Sequence, residues 1–191
     1  MEASSERLAA RVAGAAGGRI LGIDPGLQVS GYAVVEGGRG GPVLCEGGVI
    51  RSRRAGTLAE RVAEIFTGLQ EVIASFRPGV VAIEQLFSAA KNPRTALLMA
   101  HARGVICLAA AQAGIPVAHY TPTRIKKMLT GSGRAPKRQV QQAIQNELRL
   151  RELPEPPDVA DALALALCHY HVQWTAEAQR TQRLRVAQTV G

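Results

Sequence analysis

The apolar residues of this chain fall into short unbroken runs and longer stretches of helical period, and the two kinds alternate from Ile20 to Trp174. Ile20-Leu-Gly-Ile-Asp24 is too short for a helix and is bounded by Pro25-Gly26, so it predicts a buried strand that stops at a carboxylate. Ser30 to Glu36 predicts a second strand, Gly37 to Gly41 a hairpin turn, and Pro42 to Ile50 a third strand with a bulge at Gly47-Gly48. The period then changes. Thr57 caps a helix to about Phe76, with Leu58, Val62, Ile65, Leu69, Val72 and Ile73 along one face. Val80-Val-Ala-Ile-Glu84 repeats the first strand, again ending in an acid.

A loop from Gln85 to Asn92 follows, then a helix over 94–113 that is apolar almost all round. Such a helix has to be covered on two sides, by the sheet and by something else, for which a second subunit is a candidate. Ile115 to His119 predicts a fifth strand, Thr123 to Leu129 and Lys137 to Leu150 two helices, and Asp158 to about Trp174 a strongly apolar last helix. The pattern is α/β, opened by three antiparallel strands. Residues 1–18, rich in Ala, Gly and Ser, read as a disordered N-terminal extension; 19–174 read as one domain and 175–191 as a basic flexible tail.

Charge narrows the partner. The chain carries a formal +8, and between His119 and Arg151 eight basic residues face a single acid, Glu147. A patch of that kind fits a polyanion. Cys45, Cys107 and Cys168 sit in apolar surroundings without paired spacing, which predicts free thiols and a cytoplasmic, reducing compartment. No apolar stretch is read as a membrane span. Cys168-His-Tyr-His171 lacks a second half at zinc spacing and reads as core and surface residues.

Two strand ends and one helix start hold the candidate chemistry. Asp24 and Glu84 both interrupt buried runs, while Asp158 and Asp161 lie three apart, on one face of the first helical turn. Asp158 alone would suit the positive end of a helix; Asp161 is followed by Ala-Leu-Ala-Leu-Ala-Leu167 and has no such excuse. Like charges about 4 Å apart repel by roughly 4 kcal/mol at an effective dielectric of 20, so a cluster of them calls for a cation. Oxygen ligands alone suit Mg²⁺ or Mn²⁺, two ions per site, in phosphodiester hydrolysis. Separate salt bridges to the many arginines are the bland alternative.

Gly22-Ile-Asp-Pro-Gly26, Ser30-Gly-Tyr32, Ala82-Ile-Glu-Gln-Leu-Phe87, Ala102-Arg-Gly104, Ile125-Lys126, Gly131-Ser-Gly133 and Asp158-Val-Ala-Asp-Ala-Leu-Ala164, in that order, resemble the bacterial RuvC Holliday junction resolvases. The resemblance implies an RNase H-like fold, with a central five-stranded mixed sheet of three antiparallel and then two parallel strands flanked by helices. It implies a homodimer on four-way junction DNA, paired symmetric nicks of two like-polarity strands that leave 5′-phosphate and 3′-hydroxyl ends, and work alongside a branch-migration helicase of the RuvA and RuvB type. Asp24, Glu84, Asp158 and Asp161 become the metal-binding acids, although the Asp158 position can be His in that family. Lys126 and Lys137 match basic positions near the scissile phosphate. Lys127, Arg134 and Arg138 are assigned to general DNA binding, Phe87 to stacking on an unpaired base, and Asn92 and Arg94 to DNA contact. A DNA-binding relative without cutting activity would be favoured only if a strand-end acid were missing. An actin-like ATPase would need a second phosphate loop and a longer chain.

Overall fold

A computed structural model describes residues 18–85 and 93–189. Its elements run β1 (Ile20–Asp24), β2 (Val29–Gly38), β3 (Gly41–Arg51), α1 (Leu58–Phe76), β4 (Val80–Glu84), α2 (Pro93–Gln112), β5 (Val117–Tyr120), α3 (Pro122–Thr130), α4 (Lys137–Glu147) and α5 (Pro157–Thr189). The strands form one sheet in the order β3-β2-β1-β4-β5. β1 to β3 pair antiparallel, and β4 and β5 are parallel to β1, the mixed arrangement expected.

Side chains alternate across a strand, and the alternation sorts the core into two layers. Ile20, Ala33, Val35, Val80 and Ala82 face α5, whose stretch from Val159 to Cys168 is buried against them together with Ile125 of α3 and Val140 and Ile144 of α4. Leu21, Ile23, Val34, Val81 and Ile83 face the other way, onto Leu69, Val72 and Ile73 of α1 and Ile106, Ala109 and Ala110 of α2. Thr57 closes the N-terminus of α1 in a capping box with Glu60.

β5 begins at Val117 rather than Ile115, and the bulge and the ends of two helices also differ from the sequence reading. The bulge is not at Gly47-Gly48: Val34 pairs with Glu46 and Val35 with Leu44, which makes Cys45 the extra residue. Gly48 is instead kept small by Tyr32, whose ring lies where a side chain would go; a Cβ there would stand 2.7 Å from the phenol oxygen. α4 ends at Glu147, short of Leu150, and Arg149 takes a left-handed φ of 52°. α5 continues past Trp174 to Thr189, so much of the basic C-terminal segment is helical.

α2 is apolar and only partly covered. Its window Thr95–Gln112 has a mean hydropathy of 1.3 and is long and apolar enough to cross a membrane by length and composition, although no uninterrupted apolar run in the sequence approaches that length. In the fold one side of this helix is packed. Ala102, Ile106, Ala109 and Ala110 are buried, whereas Leu97 is 64% and Leu108 52% exposed.

One buried polar pair ties the sheet to α5. Tyr120 Oη lies 2.6 Å from His169 Nδ1, both residues being buried. Burial pushes the Tyr120 phenol up to about 12 and the His169 imidazole down to about 4, so both are neutral at physiological pH. Tyr120→Phe, which leaves His169 Nδ1 without its partner, should lower unfolding free energy by about 1–3 kcal/mol in a denaturant titration.

Candidate active site

Strand parity aims the first two acids. Asp24 follows Ile20 and Gly22 on the α5 side of β1, and Glu84 follows Val80 and Ala82 on the same side of β4. Ile23 pairs with Ile83 in the parallel register, so the two carboxylates close neighbouring strands at one level. α5 then brings the other two. A Cβ on Gly22 would stand 2.1 Å from the Ala162 carbonyl oxygen, and one on Gly31 would stand 2.0 Å from that of Asp158. Gly31 is the residue opposite Asp24 on β2. Two side chains reduced to hydrogen therefore let the first turns of α5 rest on the strand backbones, with Asp158 and Asp161 beside Asp24.

The electrostatics record that crowding. Burial, then Asp161, Glu84 and Asp158 in that order, push the Asp24 carboxyl up to about 7, with Lys137 opposing them. Glu84 is raised by burial and by Asp161, against Lys126 and Arg103. Among the described contacts none of the four acids is bonded to an arginine side chain. Asp161 instead accepts from Lys137, Nζ to Oδ2 2.7 Å. Lys137 opens α4, after Pro136 and without a side-chain cap. An ammonium at the positive end of a helix is unfavourable by itself, so this place is suited to an anion, here Asp161.

Glu84, Asp161, Lys126 and Lys137 line one cleft between β4, α3, α4 and α5, floored by the apolar side chains of Ile125, Val140, Ile144 and Ala164. Among the described residues no three His, Cys, Asp or Glu side chains already converge on a point fit for an ion. Asp161 is turned onto Lys137. The donor set nonetheless fits a hard divalent cation, being carboxylate oxygens alone, crowded enough to raise two of their own number. Such an ion would compete with Lys137 for Asp161.

Of the sequence-predicted DNA contacts, Lys127, Arg134, Lys137 and Arg138 are exposed and Lys126 is half-buried at the cleft. Phe87 and Asn92 lie outside the described residues, as does most of the N-terminal extension; Arg94 is described only as part of the α2 backbone. In the sequence His119 is a lone histidine with no motif, and Arg103 carries no assigned role. Arg103 Nη1 donates to the Glu84 carbonyl oxygen and Nη2 lies 2.8 Å from His119 Nδ1. The only signal was Ala102-Arg-Gly104 itself, to which no chemistry attached.

Residues 20–169 match the family described as crossover junction endodeoxyribonuclease RuvC. This chain belongs to the RuvC family. A RuvC from Rhodopirellula baltica is 61% identical over 154 residues, covering 79% of this chain and 85% of its own. One from Halorhodospira halophila is 53% identical over 153 residues, covering 80% and 90%. Among solved structures, Thermus thermophilus RuvC in complex with a Holliday junction substrate superposes with a TM-score of 0.77 at 35% identity, over 83% of this chain and 96% of that one. Membership makes the protein a nuclease that hydrolyses phosphodiester bonds, a Holliday junction-resolving endonuclease of recombination and repair, with the RNase H-like fold of the RuvC structures and a requirement for a divalent cation.

Proposed function

We propose that Asp24, Glu84 and Asp161, with Asp158 completing the set, are the acids through which this RuvC holds Mg²⁺ or Mn²⁺, two ions per site. The observation that carries the assignment is the elevation of Asp24, by burial first and then by Asp161, Glu84 and Asp158, acids that β4 and α5 bring to the end of β1. When bound, the ions supply an activated water and charge stabilisation for the leaving oxygen. The protein's own groups do the rest. The carboxylates orient, the apolar floor of Ile125 and Val140 limits water, and Lys126 and Lys137, which both line the cleft, grip the scissile phosphate. An ion held by Asp161 would leave the Lys137 ammonium, now bonded to that carboxylate, available to the DNA. Lys127, Arg134 and Arg138 extend the positive surface along the arms, where each phosphate contact adds to a steep salt dependence. Phe87, Asn92 and Arg94 complete the junction contacts.

A second copy of this chain covers α2. Leu97 and Leu108 are exposed, and Ala100, Gly104, Val105 and Leu108 form with Leu58 and Val62 of α1 a shallow apolar groove. An isologous dimer across this face places two sites about one two-fold axis, the symmetry that two matched nicks in a four-way junction require. Such a dimer acts in the cytoplasm, on junctions held by a branch-migration complex of the RuvA and RuvB type.

The test is cleavage of synthetic four-way junctions with end-labelled arms. Paired nicks at symmetric positions, with 5′-phosphate and 3′-hydroxyl ends, are expected with Mg²⁺ or Mn²⁺ and are abolished by a chelator while junction binding persists. Sedimentation should give twice the 20.2 kDa chain mass. Unpaired nicks, or cutting that survives chelation, would remove the assignment.

A further inference from the structure

We infer that Arg103 is a positioning residue for the reaction: from α2 it fixes the C-terminal end of β4 against β5, and so holds Glu84 at the level of Asp24 on the neighbouring strand. The inference rests on Glu84 being a metal ligand, as proposed above.

β4 ends at Glu84, and β5 runs beside it with Ile83 opposite His119 and Glu84 opposite Tyr120. The next amide, Gln85 N–H, donates to the Tyr120 carbonyl at 2.8 Å and is the last such bond described between the two segments. At this limit of the ladder one guanidinium reaches both strands. Nη1 donates to the carbonyl oxygen of Glu84, and Nη2 donates to His119 Nδ1 at 2.8 Å. Arginine has no acceptor, so His119 must present the lone pair of Nδ1 and carry its proton on Nε2. Burial and the Arg103 charge both hold the His119 imidazole below its usual range, which keeps it in that neutral form.

The fork geometry matters here. Two acceptors on adjacent strands, met by two nitrogens of one rigid plane, fix the separation of the strands as well as their height. The guanidinium takes the backbone carbonyl and leaves the Glu84 carboxylate open to the cleft. A residue bonded to the carboxylate would have blocked it; a residue bonded to the carbonyl behind it aims it. α2 also carries the face assigned to the second copy, so Arg103 joins the dimer helix to the active-site strand by one side chain.

Arg103→Leu keeps the bulk and removes both bonds, and Arg103→Lys keeps one donor. In metal-free protein, hydrogen exchange at the Gln85 amide should quicken in Arg103→Leu while amides in the centre of β1 stay protected. The Mg²⁺ concentration that half-saturates the rise in melting temperature should increase about tenfold, the lower end of what is lost with the outer partners of metal ligands, and partly recover in Arg103→Lys. Cutting should follow the same Mg²⁺ shift, with junction affinity in chelator unchanged. Unchanged Gln85 exchange and Mg²⁺ midpoint would overturn the inference. So would loss of protection across the whole sheet, which would make the residue merely structural. If Glu84→Gln cuts as well as the parent, the ligand assignment fails independently of Arg103.

Discussion

Asp24→Asn should bind a four-way junction at least as tightly as the parent in chelator and cut it about 1,000-fold more slowly with saturating Mg²⁺. The substitution keeps the shape of the side chain and removes the charge at the one residue that all three other acids raise. Loss of a ligand that helps to place a divalent ion costs several kcal/mol of transition-state stabilisation, and about 4 kcal/mol is a thousandfold. Junction binding belongs to the basic surface and has no reason to fall; losing one negative charge from the cleft should slightly strengthen it. A variant that cuts within tenfold of the parent would show that Asp24 is not a ligand.

The same residue predicts an inverted pH dependence of stability. An ordinary aspartate titrates near 3.8, and Asp24 in the fold is pushed up to about 7. The folded state therefore binds this proton more tightly than the unfolded chain does. The resulting stabilisation is complete below the lower value, and it is lost progressively as pH rises to about 7 and beyond. Metal-free parent protein should accordingly lose melting temperature between pH 5 and 8 relative to Asp24→Asn, whose asparagine does not titrate. Mg²⁺ added at pH 8 should restore the parent and raise the variant less, because the ion takes the place of the proton and the variant has lost one of its ligands. Parallel curves for the two proteins would count against the crowding of charge at Asp24.

Much of this was readable beforehand, for physical reasons that differ from residue to residue. A buried run broken by an acid is visible in one dimension, so Asp24 and Glu84 could be picked out. Their shared side of the sheet follows from parity once both strands are recognised. Asp161 stood out because a charge within an alanine-leucine helix needs a partner. What was hidden depends on which strands become neighbours. Arg103 and His119 are sixteen residues apart and meet only because β5 lies next to β4. Lys137 was legible as a basic residue, and its bond to Asp161 was not, since it requires α4 to lie against the start of α5. The bulge was misplaced because glycine permits a bulge and also permits close approach; at Gly48 the second use wins, under the ring of Tyr32. The extension of α5 beyond Trp174 has no apolar face to announce it.

Gly31→Ala tests the contact that assembles the site. Added to Gly31, a Cβ would stand 2.0 Å from the Asp158 carbonyl oxygen and 2.4 Å from its carbonyl carbon, both of them backbone atoms that no rotamer change can move aside. The strand or the helix has to shift by more than 1 Å for ordinary contact. Overpacking of well-filled interiors costs about 1–3 kcal/mol where side chains can adjust, so a backbone collision belongs at the upper end, about 3 kcal/mol. For a chain of this size that is a fall of roughly 6–12 °C in melting temperature. The functional loss should be larger than the structural one. Whatever lifts the first turn of α5 carries Asp158 and Asp161 away from Asp24, and displacement by 1 Å is enough to cost about a hundredfold in rate. Gly22→Ala, which collides with Ala162 one turn further along α5, should lower the melting temperature similarly and disturb cutting less, because Ala162 lies beyond the two acids. Gly40→Ala provides the baseline: nothing lies within 4 Å of a Cβ there, at the tip of the hairpin, and neither property should change. If Gly31→Ala melts and cuts like Gly40→Ala, then α5 does not rest on β2 as described, and the gathering of acids at Asp24 loses its mechanical cause.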